Sequence, residues 1–72
     1  MTKREEENKT RIKEISNVME LVFSKSQGIK KEELISQFMF AFGCSRRKIL
    51  EYIDATHATL KFKEDEGEYW NV

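Results

Sequence analysis

The chain has 72 residues, of which 39% are hydrophobic and 36% charged, and its 13 basic and 13 acidic side chains cancel to a net charge of zero. Domains usually run ~100–200 residues, so this length allows one domain and leaves no room for a deep catalytic cleft beside its core. One cysteine and one histidine exclude an internal disulfide and a metal site built from paired cysteines or histidines. We therefore expect no enzyme activity, catalytic residue, cofactor, metal or small-molecule substrate.

The sequence also lacks a segment suited to a membrane. Its longest apolar run, at residues 38–42, is much shorter than the ~20 residues that cross a bilayer as a helix. Residues 1–11 are highly charged and contain no signal-peptide core. We expect a soluble, intracellular protein of the cytoplasm, without a membrane partner.

The charges are distributed unevenly along the chain. Residues 21–50 contain six basic and two acidic side chains, a local charge of +4, whereas residues 51–72 contain two basic and six acidic ones, a local charge of −4. A basic middle segment suits a polyanionic partner. The surface of an ordinary domain, solvated and without a partner, accounts for the same pattern.

Apolar side chains recur at helical spacing in the first predicted element. They are Ile12, Ile15, Met19 and Val22. Thr2 and Glu5 have the spacing of a capping box that would start this helix early. Residues 1–11 are then a charged extension of the helix, either ordered or frayed. Residues 12–72 form the domain. Gly28 is expected to end the helix, because glycine readily adopts the left-handed conformation.

A second helix is predicted at about 31–42, with Glu32 and Glu33 in its first turn, where the helix dipole favours acids. Ile29, just before it, can add a very short strand. Gly43 is expected to end this helix. Phe40 lies away from the apolar face, which is formed by Leu34, Ile35, Phe38, Met39 and Phe42.

Ser45 is a good N-cap for a third helix at about 46–58. The helical period places one set of side chains toward the core, namely Ile49, Leu50, Ile53 and His57. It places another set outward, namely Arg47, Lys48, Glu51 and Tyr52. His57 is expected to be buried or to cap the helix, and Cys44 to be a small buried residue.

The final segment alternates between apolar and polar residues, as a β-hairpin does. A three-residue loop at 65–67 would put Gly67 in the left-handed bulge position. That register pairs Phe62 with Trp70 and Leu60 with Val72, which makes Phe62 and Trp70 core residues. The sequence therefore predicts a mainly α fold with a small β-hairpin, ordered helix, short strand, helix, tight turn, helix and hairpin.

This arrangement resembles a winged helix-turn-helix domain over about residues 12–72. The resemblance rests on Gly28-Ile29, on residues 31–35, on residues 43–53 with their Ser45-Arg46-Arg47-Lys48 run, and on Gly67-Glu68-Tyr69-Trp70. It implies a three-helix winged helix, similar to small archaeal or viral regulators. It also implies that the third helix lies in the major groove of DNA, braced by the second.

The resemblance implies a set of DNA contacts from the starts of the second and third helices and from the base of the wing, which is the predicted hairpin. These residues are Lys30, Lys31, Ser45, Arg46, Arg47, Lys48, Tyr52, Lys61 and Lys63. The wing tip departs from the family pattern, because it is surrounded by Glu64, Asp65, Glu66 and Glu68. We expect the acidic tip to extend away from the DNA.

We predict sequence-specific binding of double-stranded DNA, in the role of a transcriptional regulator. A homodimer is a second hypothesis, because Ile12, Ile15 and Met19 have coiled-coil spacing and Phe40 lies off the core face of its helix. The alternative function is a winged-helix module for protein–protein interaction, with the acidic wing and Phe40 as its interface. Salt dependence separates the two functions, because phosphate contacts weaken steeply with added salt.

Overall fold

The computed structural model describes the backbone of residues 3–72 and the side chains of residues 6–72. The predicted capping box of Thr2 and Glu5 depends on side chains that lie outside the described residues. The elements in chain order are α1 (Lys3–Ser24), β1 (Ile29–Lys30), α2 (Lys31–Phe42), α3 (Arg46–Thr56), β2 (Phe62–Asp65) and β3 (Glu68–Asn71). None of the helices between residues 3 and 72 is long and apolar enough to cross a membrane.

The three strands form one antiparallel sheet in the order β1-β3-β2. Ile29 pairs with Tyr69 and Lys30 with Glu68, so the predicted third strand is confirmed. A two-stranded hairpin is marginal in water, and this strand ties the hairpin to the start of α2. The molecule therefore has the predicted fold, mainly α with a small β-hairpin, in the element order of a three-helix winged helix-turn-helix domain.

One hydrophobic core joins the three helices to the inner face of the sheet. Its members are Ile15, Met19, Phe23, Ile29, Leu34, Ile35, Phe38, Ile49, Tyr52, Ile53, Phe62 and Tyr69. Thr56 is also fully buried, and its hydroxyl donates a hydrogen bond to the Ile53 carbonyl at 2.6 Å. The core is therefore built mainly from the apolar faces that the helical period indicates.

The apolar stripe of α1 belongs to this core and is not a free surface. Ile15 and Met19 have 0% exposure, and Ile12 is partly buried against the same cluster. The prediction that Ile15 and Met19 face a second copy is therefore wrong, because their spacing serves packing within one chain. Phe40 is 93% exposed, so it alone of the four predicted interface residues projects into solvent.

The end of α1 differs from the prediction. The helix stops at Ser24, and Ser26, with φ of 58°, takes the left-handed conformation instead of Gly28. Gly28 is needed for a different reason, since a Cβ there would lie 2.7 Å from two indole carbons of Trp70. The absence of a side chain at residue 28 thus lets the indole lie against the backbone.

The turn between α2 and α3 follows the predicted capping. Gly43 has φ of 67°, and its N–H donates to the Met39 carbonyl at 2.9 Å. The Ser45 hydroxyl accepts a hydrogen bond from the Lys48 N–H at 3.3 Å. Both caps are confirmed.

α3 ends at Thr56, and His57 is its C-cap. Of the two alternatives predicted for His57, capping is therefore confirmed and burial is wrong, since the residue is exposed and its ring stacks on Phe62 with the centroids 3.9 Å apart.

The hairpin has a two-residue turn, and its register is shifted by one from the prediction. Phe62 pairs with Asn71 and Lys63 with Trp70, while the turn residues Glu66 and Gly67 have φ of 50° and 76°. Positive φ at both positions is typical of a type I′ turn. A shift of one residue exchanges the two faces, so Tyr69 enters the core and Trp70 lies on the outer face, 38% exposed.

Gly67→Val should destabilise the domain by about 1–2 kcal/mol, the usual cost of a left-handed conformation in a residue with a side chain. No atom of the residues that the structure describes lies within 4 Å of the added Cβ, so the loss measures backbone strain without a steric clash. Glu66→Asn should instead stabilise the domain, because asparagine tolerates positive φ. Urea denaturation of both variants measures these changes, and an unaltered midpoint for Gly67→Val would contradict the turn.

Candidate nucleic-acid interface

The starts of α2 and α3 and the wing meet in a cluster of paired charges. The Arg46 guanidinium forms two hydrogen bonds with the Glu32 carboxylate, one of them 2.7 Å long. The Lys31 ammonium donates to Glu64 of β2 at 2.9 Å. Two of the predicted DNA contacts are thus brought together, and both are held by carboxylates of the same chain.

These ion pairs shift the titration of their members. Hydrogen bonding to Arg46 lowers the pKa of Glu32, and hydrogen bonding to Glu64 raises the pKa of Lys31. The Arg46–Glu32 pair is therefore intact above the ordinary pKa of a glutamate and is lost as the pH falls through the lower value in the folded state. Arg46, Glu32 and Glu64 are exposed to solvent and Lys31 is half-buried, so each pair contributes little to stability.

The acidic wing, residues 62–71, lies against the start of α2, although its tip was expected to extend away from the DNA-binding cations located there. Besides the contact of Glu64 with Lys31, the Lys31 N–H donates to the Gly67 carbonyl at 2.9 Å. The turn is short, and β3 pairs with β1 directly before α2, so the tip is held beside the start of that helix. Carboxylates of the wing consequently lie close to the predicted DNA-binding cations.

The outer face of α3 is basic only in its first turn. The Arg47 side chain is 91% exposed and lies 3.9 Å from Glu51, and Lys48 lies 3.5 Å from the same carboxylate. Asp54, which the sequence analysis did not assign to this face, is also exposed. A polyanion can therefore approach the N-terminal turn of α3 more closely than its middle.

The predicted DNA contact of Tyr52 is wrong. This residue is 4% exposed, and its hydroxyl donates to the Asn8 side chain at 2.9 Å and accepts from Arg11 at 3.3 Å. Its ring lies edge-on to Phe42, with the centroids 6.4 Å apart. Tyr52 follows Ile49 by three positions, and the helical period places such residues on the same face.

The lysines of the sheet are exposed on its outer side. Lys63 lies opposite Trp70 in the register, and Lys30 lies opposite Glu68. Lys61 is exposed just before β2. Within residues 6–72, none of these three lysines forms an ion pair. They border the paired cluster without joining it.

Sequence reasoning missed a polar contact between α1 and α3. Arg11 donates from one nitrogen to the Cys44 thiol at 3.4 Å and to the Tyr52 hydroxyl, and its guanidinium lies 5.4 Å from the Phe42 ring centroid. Asn8 completes the contact through Tyr52. The partners are 33 to 44 positions apart in sequence, so no local pattern indicates that they meet.

Comparisons with protein-family models, with curated proteins and with solved structures find no match. Among the described residues, no group of three histidine, cysteine, aspartate or glutamate side chains could hold a metal ion. The chemistry offered by the site is an exposed set of cations at two helix starts, bordered by carboxylates.

Proposed function

We propose that this protein is a winged-helix domain that binds double-stranded DNA sequence-specifically and regulates transcription in the cytoplasm. The observation that carries the proposal is the exposed, serine-capped first turn of α3, which contains Arg46, Arg47 and Lys48. Lys30 and Lys31 lie at the start of α2 beside it. In this architecture the third helix enters the major groove and the second lies across the backbone.

The position of these cations supports an anionic partner. Three cationic side chains at the N-terminus of a helix oppose its dipole, which favours negative charge there. The backbone N–H groups at the start of the same turn, ahead of the Lys48 N–H that donates to Ser45, also favour an anion. A phosphate near the start of α3 would offset the repulsion between these cations and the helix dipole. It would also accept hydrogen bonds from the N–H groups. The capped turn fixes the orientation in which these groups meet the DNA.

The outer face of α3 has the chemistry to distinguish base pairs. Arg47 can donate two hydrogen bonds to the O6 and N7 of a guanine, and Glu51 can accept one from the N4 amine of a cytosine. Lys30 and Lys31, at the start of α2, would contact phosphates. Lys61 and Lys63 would reach the backbone from the wing. The carboxylates of Glu51 and Asp54 repel phosphates, so they restrict which part of the helix approaches the backbone.

The decisive measurement is a duplex titration over a series of salt concentrations. We expect binding at about 50 mM salt, weakening with a slope of about −0.9 for each phosphate contact on a log–log plot. A selection from random duplexes would then identify the preferred site. Phe40→Ser should bind the duplex as the wild type does, because Phe40 lies off the proposed surface. No binding by 10 μM protein at about 50 mM salt would end the DNA proposal.

The exposure of Phe40 favours the alternative function, a protein-interaction module. A phenylalanine side chain gains roughly 1.5–3 kcal/mol when it leaves water, so a fully exposed one is suited to a partner surface. Such a contact, to a second copy or to another protein, would depend little on salt and would be lost in Phe40→Ser. The sedimentation mass of the wild type and of this variant measures self-association.

A further inference from the structure

A polar groove of about 450 Å³ lies between the N-terminal half of α1 and the first turns of α3. Its walls are Glu7, Asn8, Arg11, Lys48 and Tyr52. The groove is separate from the ion-pair cluster at the start of α2, but Lys48 links it to the exposed face of α3. The groove thus lies next to the proposed DNA-binding surface, on a helix for which the winged-helix resemblance implied no DNA contact.

Arg11 is held in place before any ligand arrives. Its contacts with Cys44 and Tyr52 all use one of its terminal nitrogens, and the Phe42 ring lies beside the guanidinium. A guanidinium has five N–H donors in a rigid fork, so donors remain for a ligand in the groove. Because the side chain is already ordered, binding an anion costs less conformational entropy than with a free arginine.

The charges of the groove favour an anion. In the described part of the chain, Arg11 has no carboxylate within ion-pair distance, unlike Arg46 with its partner Glu32. On the other wall, the Lys48 ammonium lies 5.5 Å from the Tyr52 ring centroid. Two cations line the groove against one carboxylate, Glu7, and Lys48 also lies 3.5 Å from Glu51 outside it. A fork of guanidinium donors beside an ammonium matches the oxygens of a phosphate.

We propose that this groove binds a phosphate of the DNA backbone next to the major-groove site of α3, so that α1 forms part of the DNA-binding surface. The inference rests on the proposed function, since the phosphate belongs to the duplex that α3 contacts. Arg11 then has two tasks, fastening α1 to Tyr52 and donating to the backbone. Glu7 weakens the contact by repelling the same phosphate.

Two pairs of matched variants test the site in the full chain. Arg11→Gln should make the slope of log affinity against log salt concentration less negative by about 0.9. It should also weaken binding to every duplex about tenfold near 50 mM salt. Lys13→Gln removes the same charge from another face of α1 and should change affinity much less. Glu7→Gln should tighten binding, and Glu20→Gln, at the far end of α1, should not. A gain in affinity cannot arise from unfolding, so this second pair stays informative if Arg11→Gln is unstable.

The outcomes separate this inference from the proposed function. If the wild type binds no duplex, the proposed function fails. If it binds and each variant behaves like its matched control, the groove is structural and the inference is overturned while the function stands. Millimolar inorganic phosphate at constant ionic strength should leave duplex affinity unchanged. Loss of duplex binding in that buffer would mean that the groove is a site for free phosphate, which also overturns the inference.

Discussion

Tyr69→Ala should lower the free energy of unfolding by about 3–5 kcal/mol, the usual cost of removing a large aromatic ring from a core. Tyr69 is 5% exposed, and its ring lies edge-on to Phe62 with the centroids 5.2 Å apart. Trp70→Ala should cost clearly less, because that indole lies on the outer face over Gly28. Urea denaturation at neutral pH measures both variants. In a chain this small, Tyr69→Ala is expected to leave a large fraction unfolded at room temperature.

Tyr69→Phe is the control, because it keeps the ring and removes the hydroxyl. Burial raises the pKa of Tyr69, so the folded state favours the protonated phenol. That contribution is present below pH about 10, the pKa of an exposed tyrosine, and is lost as the pH rises through the higher value in the folded state. Wild-type stability should therefore fall more steeply above pH 10 than that of Tyr69→Phe. Equal losses from Tyr69→Ala and Trp70→Ala at neutral pH would contradict the hairpin register.

The hairpin shows where sequence reasoning reached its limit. A glycine at residue 67 suits the left-handed position of a two-residue turn and of a three-residue turn alike. Tyr69 and Trp70 are adjacent, so either register buries one aromatic ring. In the observed register the indole of Trp70 lies on the outer face against Gly28, a residue far away in the sequence that leaves room for it. A local pattern cannot specify a choice that depends on such a distant contact.

The helices were more predictable because their signals are local. The Ser45 cap, the Gly43 stop and the start of α2 all follow from neighbouring residues. The charged segment at residues 1–11 was more ambiguous, since its composition suits fraying and order equally. Its helix is held by contacts of Asn8 and Arg11 with α3. Those contacts also turn Tyr52 inward.

The candidate site was predictable in its composition but not in its pairing. The basic run at residues 46–48 and the acidic wing are visible in the sequence, and both are exposed in the structure. That Glu64 holds Lys31 and Glu32 holds Arg46 depends on how the wing packs against α2. A phosphate that approaches either cation therefore meets a carboxylate beside it, whereas Arg47, 3.9 Å from its partner, is more readily available.

The largest effect on DNA binding is expected when Arg46, Arg47 and Lys48 are replaced together by glutamine. If Arg46 and Lys48 each contact a phosphate and Arg47 contacts a guanine, the log–log salt slope should become less negative by almost two and affinity near 50 mM salt should fall roughly a thousandfold. The variant should stay folded, because removing cations from a helix N-terminus relieves an unfavourable interaction with the dipole. Circular dichroism and thermal unfolding check the fold. The matched control replaces Lys9, Lys13 and Lys25 by glutamine and should retain most of the affinity.

Single variants assign the roles within that turn. Arg47→Ala, if Arg47 contacts a guanine, should cost roughly 1–3 kcal/mol of specific binding and relax the preference at one base pair. Lys31→Ala should weaken all sequences alike and lower the salt slope by about one. Glu32→Gln should strengthen DNA binding, because it releases Arg46 from its ion pair and removes a carboxylate that repels the DNA backbone. If the triple variant binds as tightly as its control, the first turn of α3 does not contact DNA, and the interaction module centred on Phe40 becomes the better assignment.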